Sequence, residues 1–146
     1  MQKASKMAEV FLDTAYAIAL SSVSDLFHHR AVLLADQLEA AGTRLVTTQA
    51  VLLEIGNALS KQHYRHAAVK LLEALEADPN VEVIPLSEQL YARAFRLYRE
   101  RPDKEWGLTD CVSFIVMQDR GITEALTTDE HFQQASFRAL MREASP

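Results

Sequence analysis

Short, unbroken apolar runs alternate along this chain with longer stretches whose apolar residues return every three or four positions. The first pattern is that of strands buried on both faces, and the second that of amphipathic helices. Val10 to Leu12 is the first such run and reads as the central strand. From Asp25 to Ala41 the residues Phe27, Ala31, Leu34, Leu38 and Ala41 fall on one helical face, and Gly42 supplies the stop. Arg44 to Thr47 is a second strand, after which Thr48 can cap a helix carrying Val51, Leu52, Ile55 and Leu59. A further helix, from about Tyr64 to Glu76, ends in the turn chemistry of Asp78-Pro79-Asn80, and Val81 to Ile84 follows as a strand nearer an edge.

The second half repeats the alternation. Ser87 begins a helix through Leu90, Ala94 and Leu97 that ends before Arg101-Pro102, and Pro102 to Gly107 is a loop. Thr109 is placed to cap the next helix, whose residues Val112, Phe114, Ile115, Val116 and Met117 make it apolar nearly all round and therefore central. Gly121 terminates it. Ala125 to Thr127 and Phe137 to Met141 read as the last two strands, with a short helix over Glu130 to Ala135 between them. Strands alternating with helices predict an α/β fold: three layers, α/β/α, around a mainly parallel sheet of four or five strands. The length predicts one domain over residues 1–146, with 1–7 as a frayed terminus, and there is no internal repeat or low-complexity segment.

Composition narrows the class. With 49% hydrophobic and 24% charged residues the chain expects a packed core, not disorder. A net charge of −5 argues against a protein held on nucleic acid mainly by a broad basic surface. It leaves room for a nucleic-acid substrate, because acids gathered around a bound cation lower the net charge while the ion reverses the local field. The longest apolar stretches, such as Val112 to Met117, fall far short of the roughly 20 residues that span a bilayer. The basic start leads into no cleavage pattern, so a cytoplasmic protein is expected. Cys111 is the sole cysteine, which rules out an internal disulfide and a zinc-finger spacing, and it reads as a small buried hydrophobe.

Candidate chemistry lies in the acids. Asp13 closes the first apolar run and Asp129 follows Ala125 to Thr128. In an open parallel sheet the ligand crevice lies beyond the carboxyl ends of the strands, so these two meet if the first and fourth strands are neighbours. Glu54 shares its helix face with Ala50, Val51, Ala58 and Lys61, an odd setting for a solvated glutamate; it reaches into the crevice or pairs with Lys61. Asp110 stands in the first turn of the central helix, where it serves the site or simply the helix dipole. Converging carboxylates repel unless a hard cation sits among them, and without a histidine or cysteine cluster the fitting ion is Mg²⁺ or Mn²⁺. Such an ion polarises a phosphoryl oxygen and supplies a hydroxide, and a pair about 3.5 to 4 Å apart would serve both the attacking and the leaving oxygen. Asp13, Asp110 and Asp129 are expected to hold metal directly, and Glu54 to hold metal or orient the attacking water. Thr14 and Thr127, beside the first and last acids, are expected to hydrogen-bond a carboxylate or a metal-bound water.

Other polar and aromatic groups carry weaker signals. Arg93, Arg96 and Arg99, near Lys104, form a solvated face that can meet phosphates, as can Lys61, His63, Arg65 and His66 at a helix junction. His28-His29 lack the spacing of a metal site, and His131, two residues past Asp129, reads as a loop histidine within reach of a phosphate. Trp106 and Tyr16 either stack on a base or pack in the interior.

At Val10-Phe11-Leu12-Asp13-Thr14, Glu54, Leu108-Thr109-Asp110-Cys111 and Leu126-Thr127-Thr128-Asp129 the chain resembles the PIN-domain nucleases, over nearly its whole length. The resemblance implies a compact α/β/α fold and metal-dependent cleavage of single-stranded or structured RNA, with Asp13, Glu54, Asp110 and Asp129 in the matching acidic positions. VapC-type toxins of bacterial toxin–antitoxin pairs belong to this family; they commonly form homodimers and are silenced by an antitoxin segment covering the active-site groove. A standalone PIN protein is equally compatible. A phosphotransfer receiver would want a lysine after the last strand, which is missing, and an aspartyl-phosphate phosphatase a second acid where Ala15 stands. The remaining rival is a catalytically silent PIN-like module for binding or dimerisation, against which the retention of all four acids argues.

Overall fold

The three apolar residues of the first strand fill the middle of the molecule. In the computed structural model, which describes residues 8–143, β1 (Glu9–Leu12) places Val10, Phe11 and Leu12 all out of contact with solvent. Successive strand side chains point to opposite faces, so three buried residues in a row require cover on both sides. The expectation of a frayed segment at 1–7 falls outside the described residues.

The chain continues through α1 (Thr14–Ser21), α2 (His28–Ala40), β2 (Arg44–Thr48), α3 (Gln49–Ala58), α4 (Gln62–Ala77) and β3 (Val81–Ile84). It then forms α5 (Glu88–Glu100), α6 (Leu108–Arg120), β4 (Glu124–Leu126), α7 (Glu130–Gln134), β5 (Arg138–Ala139) and a closing 3₁₀ turn at Leu140–Arg142. The sheet order is β3-β2-β1-β4-β5 and every pairing is parallel. Helices cover both faces, giving the three-layer α/β/α architecture. Strand order runs outward from β1 to β3 on one side and then reverses to β4 and β5 on the other. The reversal leaves a crevice beyond the carboxyl ends of β1 and β4.

Local chemistry accounts for most boundaries. The Thr48 hydroxyl accepts the Val51 N–H at 3.2 Å to cap α3, and Ser87 does the same for Leu90 at 3.1 Å on α5. Gly121 takes φ 67°, the left-handed geometry that closes α6. Three readings are corrected. Thr109 lies inside α6 and does not cap it: the helix starts at Leu108 because the Asp110 carboxylate, reaching back, accepts the Gly107 N–H. The helix expected from Asp25 begins at His28, since the Asp25 carboxylate accepts the Phe27 N–H at 2.8 Å and holds a turn there. The strand expected over Phe137 to Met141 shrinks to two residues, because the Leu140 carbonyl turns to accept from Arg30 at 3.0 Å and from the Glu143 N–H at 3.3 Å. Helix α1, too short to show a period in the sequence, was not anticipated.

An aromatic cluster sets the position of the crevice wall. Phe114 on α6 meets Phe132 on α7 edge-on at 5.0 Å and Trp106 edge-on at 5.0 Å, while Phe11 on β1 lies 6.3 Å from Phe132. Trp106 therefore packs, as does the buried Tyr16. At the opposite end of α6, Arg120 binds Glu9 of β1 at 2.6 Å and Glu82 of β3 at 2.8 Å. The C-terminal end of α6 is thus tied directly to the sheet, and Phe114 at its middle reaches β1 through Phe132. No described helix is long and apolar enough to cross a membrane.

Candidate active site

The strand ends aim the first acid. Asp13 follows β1 in extended geometry, and its N–H continues the pairing with β4 by donating to the Leu126 carbonyl at 3.2 Å. It occupies the N-cap position of α1 yet makes no side-chain capping bond, so the carboxylate is left for the crevice. The expected neighbourhood of β1 and β4 is realised. On the next strand end the fully buried Thr127 donates its hydroxyl to Asp13 Oδ2 at 2.7 Å and accepts the Asp129 N–H at 3.0 Å. One side chain thereby spaces two of the acids. Thr14, the first residue of α1, donates a short hydrogen bond to Glu54 of α3. Glu54 takes this threonine as its partner, not Lys61.

The other two acids meet across α6 and α7. Asp129 caps α7 by accepting the His131 N–H on Oδ1 at 2.8 Å. That turn brings His131 Nδ1 to 3.0 Å from Asp110 Oδ2 and 3.2 Å from Asp129 Oδ1. Donor atoms of Asp110, Asp129 and His131 all lie within 4.8 Å of one another, the only such group among the described residues. Asp110 and Asp129 therefore join in one donor set, whereas Asp13 and Glu54 stand beside it. His131 is not a loop residue: it sits in α7, held from behind by Phe132 in the aromatic cluster. Its signal in the sequence was the Asp-any-His spacing after an apolar strand, too common to stand alone.

Burial and mutual repulsion dominate the electrostatics. Burial pushes the Asp13 carboxyl up to about 7; the Thr127 hydroxyl and the Thr14 N–H pull the other way, and the nearby charges of Glu54 and Asp110 add to the rise. Asp110 is also raised, first by burial and then by Asp129, against the hydrogen bonds from His131 and Gly107. Carboxyl groups crowded until they resist ionisation are what a divalent cation would relieve. The Asp110 and Asp129 carboxylates beside one imidazole, with Asp13 and Glu54 alongside, are hard or borderline donors that fit such an ion.

Other candidates fall away from the crevice. Arg93 is spent on Asp119 at 2.6 Å and Arg96 on Glu100 at 2.9 Å, while Arg99 lies over the Phe95 ring. Cys111 is fully buried, with its thiol pushed up to about 11 by that burial and by the charge of Asp110. Beside Glu54 an open groove of about 280 Å³ runs between Leu53, Leu86, Tyr91 and Leu108.

A model of the PIN domain matches residues 10–138. The chain belongs to the PIN-domain family. Among characterised PIN proteins it is similar to the 23S rRNA-specific endonuclease VapC20 of Mycobacterium tuberculosis, 27% identical over 128 residues that cover 88% of this chain and 95% of that one. The crystal structure of VapC20, described as a sarcin–ricin loop cleaving toxin, superposes with a TM-score of 0.76 over the same shares of the two chains. VapBC2 of Rickettsia felis, solved bound to a DNA fragment from its promoter, gives a TM-score of 0.66 at 15% identity, covering 90% of this chain and 96% of that one. FitAcB of Neisseria gonorrhoeae gives 0.60 at 20% identity, covering 89% and 94%. The last two likenesses speak to the PIN fold alone.

Proposed function

We propose that this PIN domain is a cytoplasmic, Mg²⁺- or Mn²⁺-dependent endoribonuclease of the VapC toxin type. The observation that carries the reading is the buried Asp13 carboxylate, joined through Thr127 to Asp129 and near enough to Glu54 and Asp110 to feel their charge. The similarity to VapC20, a 23S rRNA-specific endonuclease, supports RNA as the substrate class.

When bound, the cation supplies polarisation of a phosphoryl oxygen and an acidified water for hydrolysis. Asp13, Asp110 and Asp129 would hold it. Thr127 keeps the Asp13 carboxylate turned into the crevice, and Thr14 occupies Glu54 Oε1, leaving the other Glu54 oxygen to orient the attacking water or to join the ligands. A bound cation would offset the charge of these carboxylates, which would accommodate an RNA phosphate on a chain of net charge −5. An antitoxin segment is the regulatory partner, and the apolar groove between Leu53, Tyr91 and Leu108 lies beside Glu54 where such a segment would shut the site. A homodimer is the expected assembly.

The test mixes purified protein with labelled single-stranded RNA and a sarcin–ricin hairpin in Mg²⁺ or Mn²⁺, with EDTA, Asp13→Asn and Glu54→Gln as controls. Cleavage should vanish in EDTA and fall by about 100-fold or more in either variant, with RNA affinity far less affected. Equal cleavage by Asp13→Asn would refute the assignment, and an unchanged rate in Glu54→Gln would remove Glu54 from it. Absence of metal-dependent cleavage on every RNA would leave the silent binding module.

A further inference from the structure

We propose that His131 Nδ1 is itself a ligand of the divalent cation held by Asp110 and Asp129, and that it makes the site favour Mn²⁺ over Mg²⁺. The inference rests on the metal-dependent reading above and goes beyond its all-carboxylate ligand set.

Two features place the nitrogen. The Asp129 cap fixes the His131 backbone, with the His131 N–H donated to Oδ1 at 2.8 Å. The adjoining Phe132 is fully buried against Phe114, one helical turn beyond Asp110, so α6 and α7 are registered to each other through the rings directly behind the acids. Nδ1 consequently lies between the two carboxylates, 3.0 Å from one and 3.2 Å from the other, and no other histidine or cysteine among the described residues joins a comparable group. Imidazole has two tautomers. With its proton on Nδ1 the ring bridges the acids as a donor, and with the proton on Nε2 it turns a lone pair toward the same point. A cation between the carboxylates favours the second arrangement.

The choice of ion follows from donor chemistry. Mg²⁺ demands oxygen ligands in near-ideal octahedral geometry and sheds water reluctantly, whereas first-row transition ions accept imidazole nitrogen readily. Two carboxylate oxygens and one nitrogen therefore discriminate where four carboxylates would not.

The experiment measures binding without turnover. Mn²⁺ and Mg²⁺ affinities are determined at fixed pH by calorimetry on the full chain, and pulsed EPR of the Mn²⁺ complex reads nitrogen coupling from any bound imidazole. His131→Asn keeps an N–H donor near the Nδ1 position but offers no ligating nitrogen, so it separates a bridging donor from a ligand. Wild type should show nitrogen coupling and a clear Mn²⁺ preference; His131→Asn should lose the coupling and reduce the Mn²⁺:Mg²⁺ affinity ratio about 10-fold or more. Mn²⁺ bound with oxygen-only coupling in wild type, or a ratio unchanged in His131→Asn, overturns the assignment while leaving the carboxylate site intact. Failure of wild type to bind either ion would overturn both this assignment and the metal-dependent reading. The wild-type spectrum decides the question even if the variant fails to fold.

Discussion

Asp13→Asn should make the metal-free protein more stable while destroying the proposed activity. Asp13 is 5% exposed, and its carboxyl is pushed from 3.8 to about 7 chiefly by burial. Above that value the group is ionised in both the folded and unfolded chain, so the native state carries the whole cost of the buried charge. At about 1.4 kcal/mol for each tenfold change in proton affinity, that cost is on the order of 4 kcal/mol. Asparagine is nearly isosteric, and its carbonyl still accepts from Thr127, but its amide must find an acceptor of its own. A net gain of roughly 2–4 kcal/mol, or about 5–15 °C in Tm for a chain of this size, is the expectation.

The sign of the pH dependence follows from the raised value. As pH falls through about 7 the native state takes up a proton that the unfolded chain binds only near 3.8, so wild type gains stability from this group, fully so below the unfolded value. The margin of the variant over wild type should thus be largest at about pH 8 and close toward about pH 4. Urea or thermal denaturation in EDTA across that range measures it, and the difference between the two proteins cancels carboxyl groups common to both. Mn²⁺ should then reverse the order, stabilising wild type by mass action and the variant little. A variant no more stable than wild type at the alkaline end, or a margin that does not change with pH, would refute the account of Asp13 as a buried, destabilised charge.

Two further outcomes follow from the same contacts. Thr127→Val removes the donor on Asp13 and strands the Asp129 N–H; it should cost about 1–3 kcal/mol at neutral pH and move the acid limb of the pH–rate profile upward, since the Asp13 carboxyl loses its main stabilising bond. A limb that stays in place would show that Asp13 does not govern activity. Cys111, fully buried with its thiol pushed up to about 11, should resist a disulfide reagent in the native protein and react fully in denaturant; rapid native labelling would contradict its placement.

Much of this molecule is written in short-range pattern. The buried run before Asp13, the caps at Thr48 and Ser87, the stop at Gly121 and the apolar wall of α6 each depend on residues within one or two turns of each other, and each was legible. Helix α1 was not, because eight residues with alanine spread through them carry no period. The four acids are proposed from their order along the chain and their places at strand ends and in helix turns. Asp110 shows why the two readings of it were not rivals: one carboxylate oxygen both accepts the Gly107 N–H and meets His131.

What the amino-acid order determined by itself was the alternation of strand and helix, and with it a parallel sheet whose strand ends present acids on one side. The order could not say that Thr14 reaches Glu54 across 40 positions, that Thr127 reaches Asp13 across 114, or that a histidine stands with the pair of Asp110 and Asp129. Those facts belong to the tertiary structure. Hydrogen-bond partners, desolvation and charge repulsion are sums over neighbours in space, and only packing of α3, α6 and α7 against the sheet decides which side chains those neighbours are.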